Sequence, residues 1–256
     1  MKQLLDFIIV KNDHLTENYS LLKLSPVSGE KLKEMKAGQF VQVHVSGATS
    51  TLLRRPISIN YVDMDSNELW LLVRRAGNAT NVLASKEEGS KVNLLLPLGN
   101  GFGFEDTFDT PCLLVGGGVG IAPLLYLGNQ MKKRGIYFEY LIGAKSESDL
   151  LQIELLKEIA PVNITTDDGT CGEKGLVTHH SCWSKKWAKA FCCGPVPMMK
   201  AVAKICKERQ VDCEVSLENM MACGLGACLC CVEKTVKGNV CVCTEGPVFN
   251  INDLTW

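Results

Sequence analysis

The sequence is most informative first in what it lacks. It has no clean membrane-length apolar run: the uncharged stretch at residues 110–131 holds five glycines and Pro123, which fits a strand, a tight turn and a buried helix rather than a bilayer span. It has no excess of either charge, since 27 Lys and Arg face 28 Asp and Glu for a net charge of −1. Nucleic-acid binding draws its affinity from a surplus of basic residues, so that class is excluded. With 46% hydrophobic residues and balanced charge, disorder is excluded as well. The opening MKQLLDFIIVKND has its apolar run broken by Asp6 and no small-residue cleavage site after it. A secretory route is therefore not expected, and a cytoplasmic, reducing setting is. Histidine is scarce, with four in the chain and none after His180. Internal repeats, low-complexity tracts and charge blocks are missing too, so no long flexible linker is expected.

What the chain does have is cysteine. There are 13 in 256 residues, an odd number, and seven of them fall between Cys213 and Cys243. In a reducing compartment clustered cysteines read as metal ligands rather than disulfides. A length of 256 residues predicts two domains, or two and a small appendage.

Three stretches differ in rhythm. Residues 1–103 carry short apolar runs at 7–10, 19–24, 40–45, 57–62, 69–73 and 92–96, with polar or glycine-containing breaks between them; about six strands in a small antiparallel barrel are predicted, with a helical piece at 78–86. Residues 104–215 alternate strand-like runs (112–115, 137–142, 162–166, 190–193) with helical ones (to about 133, 148–158, 198–208), the pattern of a parallel-sheet α/β domain of nucleotide-binding type. Residues 216–256 are poor in large apolar side chains, and pieces this small need a metal or crosslinks.

In that tail Cys223, Cys228 and Cys231 are spaced C-x4-C-x2-C, the plant-type [2Fe–2S] spacing, which requires a more distant fourth cysteine. Gly224, Gly226 and Ala227 between the ligands let a loop wrap tightly around bridged irons. A Rieske centre needs two histidines and is excluded. A four-cysteine zinc site favours two close pairs, whereas here three cysteines crowd one glycine-rich loop; unliganded thiols are the remaining alternative. Cys241 and Cys243 both qualify as the fourth ligand, and Cys230 reads as a bystander.

Arg55-Pro56-Ile57-Ser58 opens an apolar strand: the arginine fork can grip a pyrophosphate, Pro56 fixes the backbone direction, and Ser58 can offer a hydroxyl to the edge of a flavin ring. Leu72-Val73-Arg74 leads into Gly77, Ala79 and Thr80 at the start of a short helix, a natural place for phosphate. An ordinary surface arginine is the competing reading of Arg55. In the second stretch Gly116-Gly117-Gly118-Val119-Gly120 joins strand to helix, with Pro123 in the first helical turn. It departs from G-x-G-x-x-G because Ile121 stands at the third glycine position. Merely tight strand–helix packing is the alternative to close approach of a pyrophosphate. Asp167-Asp168-Gly169 is expected either near the nucleotide or as a solvated turn.

These motifs, in this order, resemble the ferredoxin-reductase superfamily over residues 1–215. The resemblance places FAD on Arg55 through Ser58 and on Gly77 through Thr80, with Ala79 where a glycine is common. Leu98-Gly99-Asn100-Gly101-Phe102 resembles the turn ending the family's barrel. NAD falls to the glycine loop and to Cys193 and Gly194 of Cys-Gly-Pro, where Cys193 packs on the nicotinamide side and is not a nucleophile. The single base in Gly143-Ala144-Lys145-Ser146-Glu147 favours NAD over NADP.

With the cysteine tail, the whole chain is similar to the electron-transfer subunits of NAD-dependent, class B dihydroorotate dehydrogenases. The most specific stretches run from Glu218 to Cys228 and from Cys243 through Gly246-Pro247-Val248-Phe249. That likeness favours Cys243 as fourth ligand, although the eleven residues between Cys231 and Cys243 are fewer than the family suggests. It implies a relay in pyrimidine (UMP) biosynthesis: electrons leave dihydroorotate at the FMN of a separate catalytic subunit, pass singly through [2Fe–2S] to FAD, and reach NAD⁺ as hydride. It implies two copies of each subunit, no membrane and no nucleic acid, with the tail as the contact surface. An NAD(P)H:ferredoxin-type reductase, or a sulfide or hydrogenase reductase subunit, is the alternative. Some such relatives use an aspartate ligand, and none lies between Asp212 and Asp253 here. A non-catalytic redox sensor or zinc-stabilised module is the third reading.

Overall fold

The computed structural model describes residues 2–48, 52–104 and 108–256. By its internal contacts the chain forms two compact units. The first comprises Met1–Gly101, Glu218–Glu233 and Asn239–Pro247, and the second Phe102–Leu217, Lys234–Gly238 and Val248–Trp256.

The first unit is built on a closed antiparallel barrel of β1 (Gln3–Thr16), β2 (Tyr19–Pro26), β3 (Phe40–His44), β4 (Arg55–Asp63), β5 (Glu68–Arg74) and β6 (Lys91–Leu98), in the order β1-β2-β5-β4-β3-β6. All six expected strands are present. Closure leaves no sheet edge unpaired. β6 shows why these segments are strands: Val92, Leu94, Leu96 and Leu98 alternate with more exposed residues, so one face fills the barrel. Phe7, Ile9, Leu22, Leu24, Val41, Val43, Ile59 and Leu71 complete that core. Each such buried side chain is worth about 1.5–3 kcal/mol over an exposed one. Helix α1 (Asn78–Ala84) follows β5. Thr80 at its third position accepts the Gly77 N–H at 3.1 Å and the Ala76 N–H at 3.0 Å, which fixes the entry of the chain into the helix.

The second unit holds a seven-stranded sheet in the order β10-β9-β8-β7-β11-β12-β15, with β15 spanning Val248–Asn250. Its parallel part consists of β7 (Cys112–Gly117), β8 (Phe138–Ala144), β9 (Val162–Thr166), β10 (Glu173–Lys174), β11 (Lys189–Cys193) and β12 (Asp212–Ser216). β7 is buried at every residue, as a central parallel strand must be. Helices α2 (Ala122–Lys133), α3 (Ile153–Ile159) and α4 (Val196–Arg209) alternate with the strands. β7 pairs with β8 on one side and with β11 on the other, so the strand order reverses there.

The expected helix at 148–158 is a correction. A 3-10 turn over Glu147–Asp149 is followed by Gln152 at φ +52, and α3 begins only at Ile153. Ser146 Oγ lies 2.8 Å from Ser148 Oγ and donates to Asp149 Oδ2 at 3.2 Å. Local bonds of this kind compete with helical ones.

Residues from 217 onward hold β13 (Val232–Thr235), β14 (Gly238–Cys241), the helical turn α5 (Val242–Glu245) and β15 (Val248–Asn250). β15 pairs antiparallel with β12, placing Phe249 opposite Val215.

Candidate functional site

In the first unit, the loop from Cys223 to Cys231 turns through left-handed backbone at Gly224 (φ +68), Gly226 (φ +81) and Leu229 (φ +58). These turns direct main-chain N–H groups at sulfur. Leu225 N donates to Cys223 Sγ at 3.3 Å, Gly226 N to Cys243 Sγ at 3.2 Å, and Cys243 N to Cys231 Sγ at 3.4 Å. The Leu225 N–H, with the Cys228 thiol and the N–H groups of Cys228 and Ala227, lowers the Cys223 thiol to about 6. Burial raises Cys243 to about 12, with the Cys231 thiol adding to the rise and the Gly226 N–H opposing it. Cys241 directs its thiol at Gly226 O, 3.9 Å away, and also lies against the Cys231 thiol, while Cys228 and Cys230 are exposed.

The structure therefore gathers Cys223, Cys228, Cys231, Cys241 and Cys243, with both Cys241 and Cys243 against the Cys231 thiol. Among the described residues no three His, Cys, Asp or Glu side chains surround a single metal-ion position. A two-iron cluster is held by four thiolates over two irons. All-sulfur donors with backbone N–H groups already on three of the sulfurs fit that group.

The far end of the loop is clamped to the barrel. Asn100, just past β6, donates from Nδ2 to Thr244 O at 2.9 Å and to Glu245 O at 3.0 Å, and its N–H donates to Gly246 O at 2.6 Å. The sequence reading saw residues 98–102 only as a barrel-ending turn.

At the open ends of β4 and β5 the two arginine pairs divide their labour. Arg54 donates to Gln42 O, Asn93 O and Asn93 Oδ1, tying β3 to β6. Arg75 donates to Ser85 Oγ and Ala84 O at the end of α1. Both are structural, a role the sequence did not disclose. Arg55 Nη1 rests on the carbonyls of Leu53 and Arg54, and Arg74 is exposed. Pro56, Ile57 and Ser58 are half-buried, Leu72, Val73 and Ala79 buried, and Gly77 exposed. Glu218, in the same unit, is exposed. Surrounding protein raises its carboxyl above the usual range, and the charge of Arg74 opposes the rise. Half-buried apolar edges beside Arg55 and Arg74 fit a flavin and its phosphates.

In the second unit the glycine loop and Cys193-Gly194 sit at the C-terminal ends of β7 and β11, with Cys193 paired to Gly116. That is the reversal point of the strand order, where open α/β sheets bind ligands. A Cβ added at Gly120 would overlap the Cys193 carbonyl and lie 2.6 Å from Gly194 Cα. One at Gly117 would meet Met198 and, at 3.3 Å, Pro195. One at Gly116 would lie 2.9 Å from Ile121. Gly118 has φ +54, and Pro123 begins α2. Gly116, Gly117 and Gly120 thus let the loop pack directly on Ile121, Met198 and Cys193-Gly194, the tight packing the sequence also allowed; the reversal point of the strand order and the positive φ of Gly118 are what fit a pyridine dinucleotide. Asp168 serves as a turn: its Oδ1 accepts from Thr170 N at 3.0 Å and Thr170 Oγ1 at 2.7 Å, which lowers its carboxyl.

Cysteine abundance misleads in this unit. Cys112, Cys182, Cys192, Cys193, Cys206 and Cys213 are buried core residues. Burial pushes Cys112 and Cys182 up to about 12, so they are inert thiols. Cys213, counted with the tail cluster in sequence, touches Cys206 in the core.

A closed barrel, a parallel nucleotide sheet and a cysteine loop joined by Cys243 define a ferredoxin-reductase-type electron-transfer protein carrying an iron–sulfur site. Residues 218–255 match the family model described as the iron–sulfur cluster binding domain of dihydroorotate dehydrogenase B. The dihydroorotate dehydrogenase B (NAD(+)) electron transfer subunit of Lysinibacillus sphaericus (strain C3-41) is 40% identical over 227 residues, covering 86% of this chain and 88% of the relative. The subunit of the same name in Shouchella clausii (strain KSM-K16) is 35% identical over 96% of both chains. The solved NADH-dependent reduced ferredoxin–NADP oxidoreductase superposes with a TM-score of 0.85 at 28% identity, over 98% of this chain and 90% of its own. The chain belongs to the family of dihydroorotate dehydrogenase B electron transfer subunits.

Proposed function

We propose that this chain carries electrons from dihydroorotate, oxidised at the FMN of a separate catalytic subunit, to NAD⁺ in pyrimidine biosynthesis. The observation that carries this reading is that the cysteine loop and the flavin-type barrel belong to one compact unit. When bound, the cluster handles single electrons while the flavin pairs them for hydride exchange with nicotinamide.

The chain's own residues hold and orient these groups. Cys223, Cys228, Cys231 and Cys243 would hold the iron; the Gly226 N–H on Cys243 supports this fourth ligand over Cys241. Arg55 and Arg74 would meet the FAD phosphates, with Pro56, Ile57, Ser58, Leu72 and Val73 along the ring system and Gly77, Ala79 and Thr80 at the helix start. Gly116, Gly117, Gly118, Gly120, Pro123 and Gly194 would admit NAD, with Cys193 beside the nicotinamide. In sequence terms residues 1–103 are the FAD part, 104–215 the NAD part and 216–256 the cluster part.

The exposed apolar side chains Met220, Leu225 and Leu229 on and beside the cluster loop support that surface as the contact for the catalytic subunit. Two copies of each subunit in the cytoplasm complete the reading. No described helix is long and apolar enough to cross a membrane.

The test is co-purification. An FMN-bearing partner is expected to accompany the chain, and dihydroorotate-dependent NADH formation should occur only in the complex. Ferredoxin reduction by NADH, unaffected by that partner, would favour a ferredoxin-type reductase instead, a reading to which the full-length likeness to the ferredoxin–NADP oxidoreductase lends weight.

A further inference from the structure

One buried polar group in the first unit has no partner at either end. Gln42, in β3, is fully buried, and neither its Nε2 nor its Oε1 makes a hydrogen bond. Among the described residues, Asn12, Asn129 and Thr165 each leave a single oxygen unpaired; Gln42 alone lacks partners for both amide atoms. Buried amides are nearly always bonded, so this one calls for a ligand.

Its place in the fold says which. Gln42 pairs with Pro56 of the flavin strand on one side and with Leu95 on the other, so its backbone is fixed by β4 and β6. Its side chain meets the cluster loop. A Cβ added to Gly224 would lie 2.9 Å from Gln42 Cγ and 3.0 Å from Nε2. Gly224 directly follows Cys223, whose sulfur already accepts the Leu225 N–H. The loop approaches the amide so closely that, with φ at +68, a glycine is required there. A buried neutral donor is therefore pressed against the segment that presents sulfur.

We propose that Gln42 is a positioning residue for the iron–sulfur cluster, donating its side-chain N–H to a cluster sulfur and raising the cluster's reduction potential. Hydrogen bonds to cluster sulfurs, together with net charge and exposure, set such potentials. The added electron makes sulfur a better acceptor, so the donor favours the reduced form. The proposal rests on the ligand assignment of Cys223, Cys228, Cys231 and Cys243.

The test compares the purified complex with Gln42→Met, which keeps length without a donor, and Gln42→Glu, which keeps shape and replaces the N–H groups by acceptors. Both variants should make the reduced cluster about tenfold harder to populate at a given potential, a fall of ~59 mV for a one-electron couple. The g-values of the reduced cluster should shift, while the flavin absorption and midpoint stay in place. The wild type with glutamine side chains labelled with ¹⁵N should show a nitrogen hyperfine coupling to the reduced cluster, a readout that holds even if neither variant folds. An unchanged cluster midpoint with only a lower melting temperature, or no ¹⁵N coupling, would overturn the proposal. So would a flavin midpoint that moves while the cluster's does not. A wild-type complex that binds no iron would instead defeat the ligand assignment beneath it.

Discussion

Gly120→Ala is the substitution whose consequence follows most directly from the backbone. The new Cβ would overlap the Cys193 carbonyl and sit 2.6 Å from Gly194 Cα. Both neighbours are main chain, and Cys193 is held in the β7–β11 pairing, so no side chain can rotate away. Carbon atoms rest at roughly 3.5–4.0 Å, and the loop must therefore retreat from Cys193-Gly194 by about 1 Å. Overpacking of this kind costs about 1–3 kcal/mol, which in a unit of this size lowers the melting temperature by roughly 2–12 °C. The larger effect is on positioning: a displacement of about 1 Å in a reacting pair costs on the order of 100-fold. The kcat/KM for NADH should fall by that factor, while the flavin absorption and the EPR signal of the reduced cluster persist. Gly128→Ala is the control. Its Cβ would strike the Tyr140 hydroxyl in the core of the same unit, so it should lower the melting temperature without the matching loss of kcat/KM. NADH kinetics of Gly120→Ala within twofold of wild type would refute the nucleotide cradle.

Cys228→Ser should lose the cluster and retain FAD, read as iron content, EPR signal and flavin-to-protein ratio, whereas Cys230→Ser should keep both; an unchanged EPR signal in Cys228→Ser would sink the ligand assignment. The second unit should weaken in mild acid through His180. Burial lowers its imidazole below the ordinary 6.5, Glu173 partly opposes this, and Nδ1 accepts the Cys182 N–H at 2.9 Å. A lowered folded value means that the unfolded chain takes up the proton first. The stability His180 supplies is thus complete above pH 6.5 and is lost as pH falls through the folded value. Urea midpoints between pH 7.5 and 5 should decline less in His180→Asn than in wild type, and parallel declines would dismiss His180 as a source.

The barrel was legible because its signal is local and repeated: two-residue alternation in β6 names the inner face without any knowledge of partners. The sheet was legible in β7, β8, β9 and β11 as short strand-like runs alternating with helical ones, buried along their length rather than on one face in β7. Short elements were not. β10 has two residues, and β15 has three, lengths at which no periodicity exists to be read. The helix start at 148 failed because serine and aspartate side chains bonded one another ahead of α3. The arginine pairs were ambiguous in principle. Arg54 and Arg55 are adjacent and chemically identical, and only the position of Asn93 across the barrel commits the first to structure.

The cysteine site divides along the same line. Cys223, Cys228 and Cys231 lie in one loop, so their spacing is a property of nine residues and can be read without a fold. The fourth position depends on contacts of long range. Asn100 fixes Thr244 and Glu245 across a separation of more than 140 residues, and Cys243, directly before them, accepts the Gly226 N–H. A tail with little core of its own is shared between the two units, with residues 218–233 and 239–247 in the first and 234–238 and 248–256 in the second. The barrel core of the first unit, to which Cys223, Cys228, Cys231 and Cys243 all belong, thus supplies the rigidity that the cysteine loop cannot generate from its own apolar content. The sulfur geometry at Cys243 is for that reason as much a property of β6 and its following turn as of the cysteines themselves.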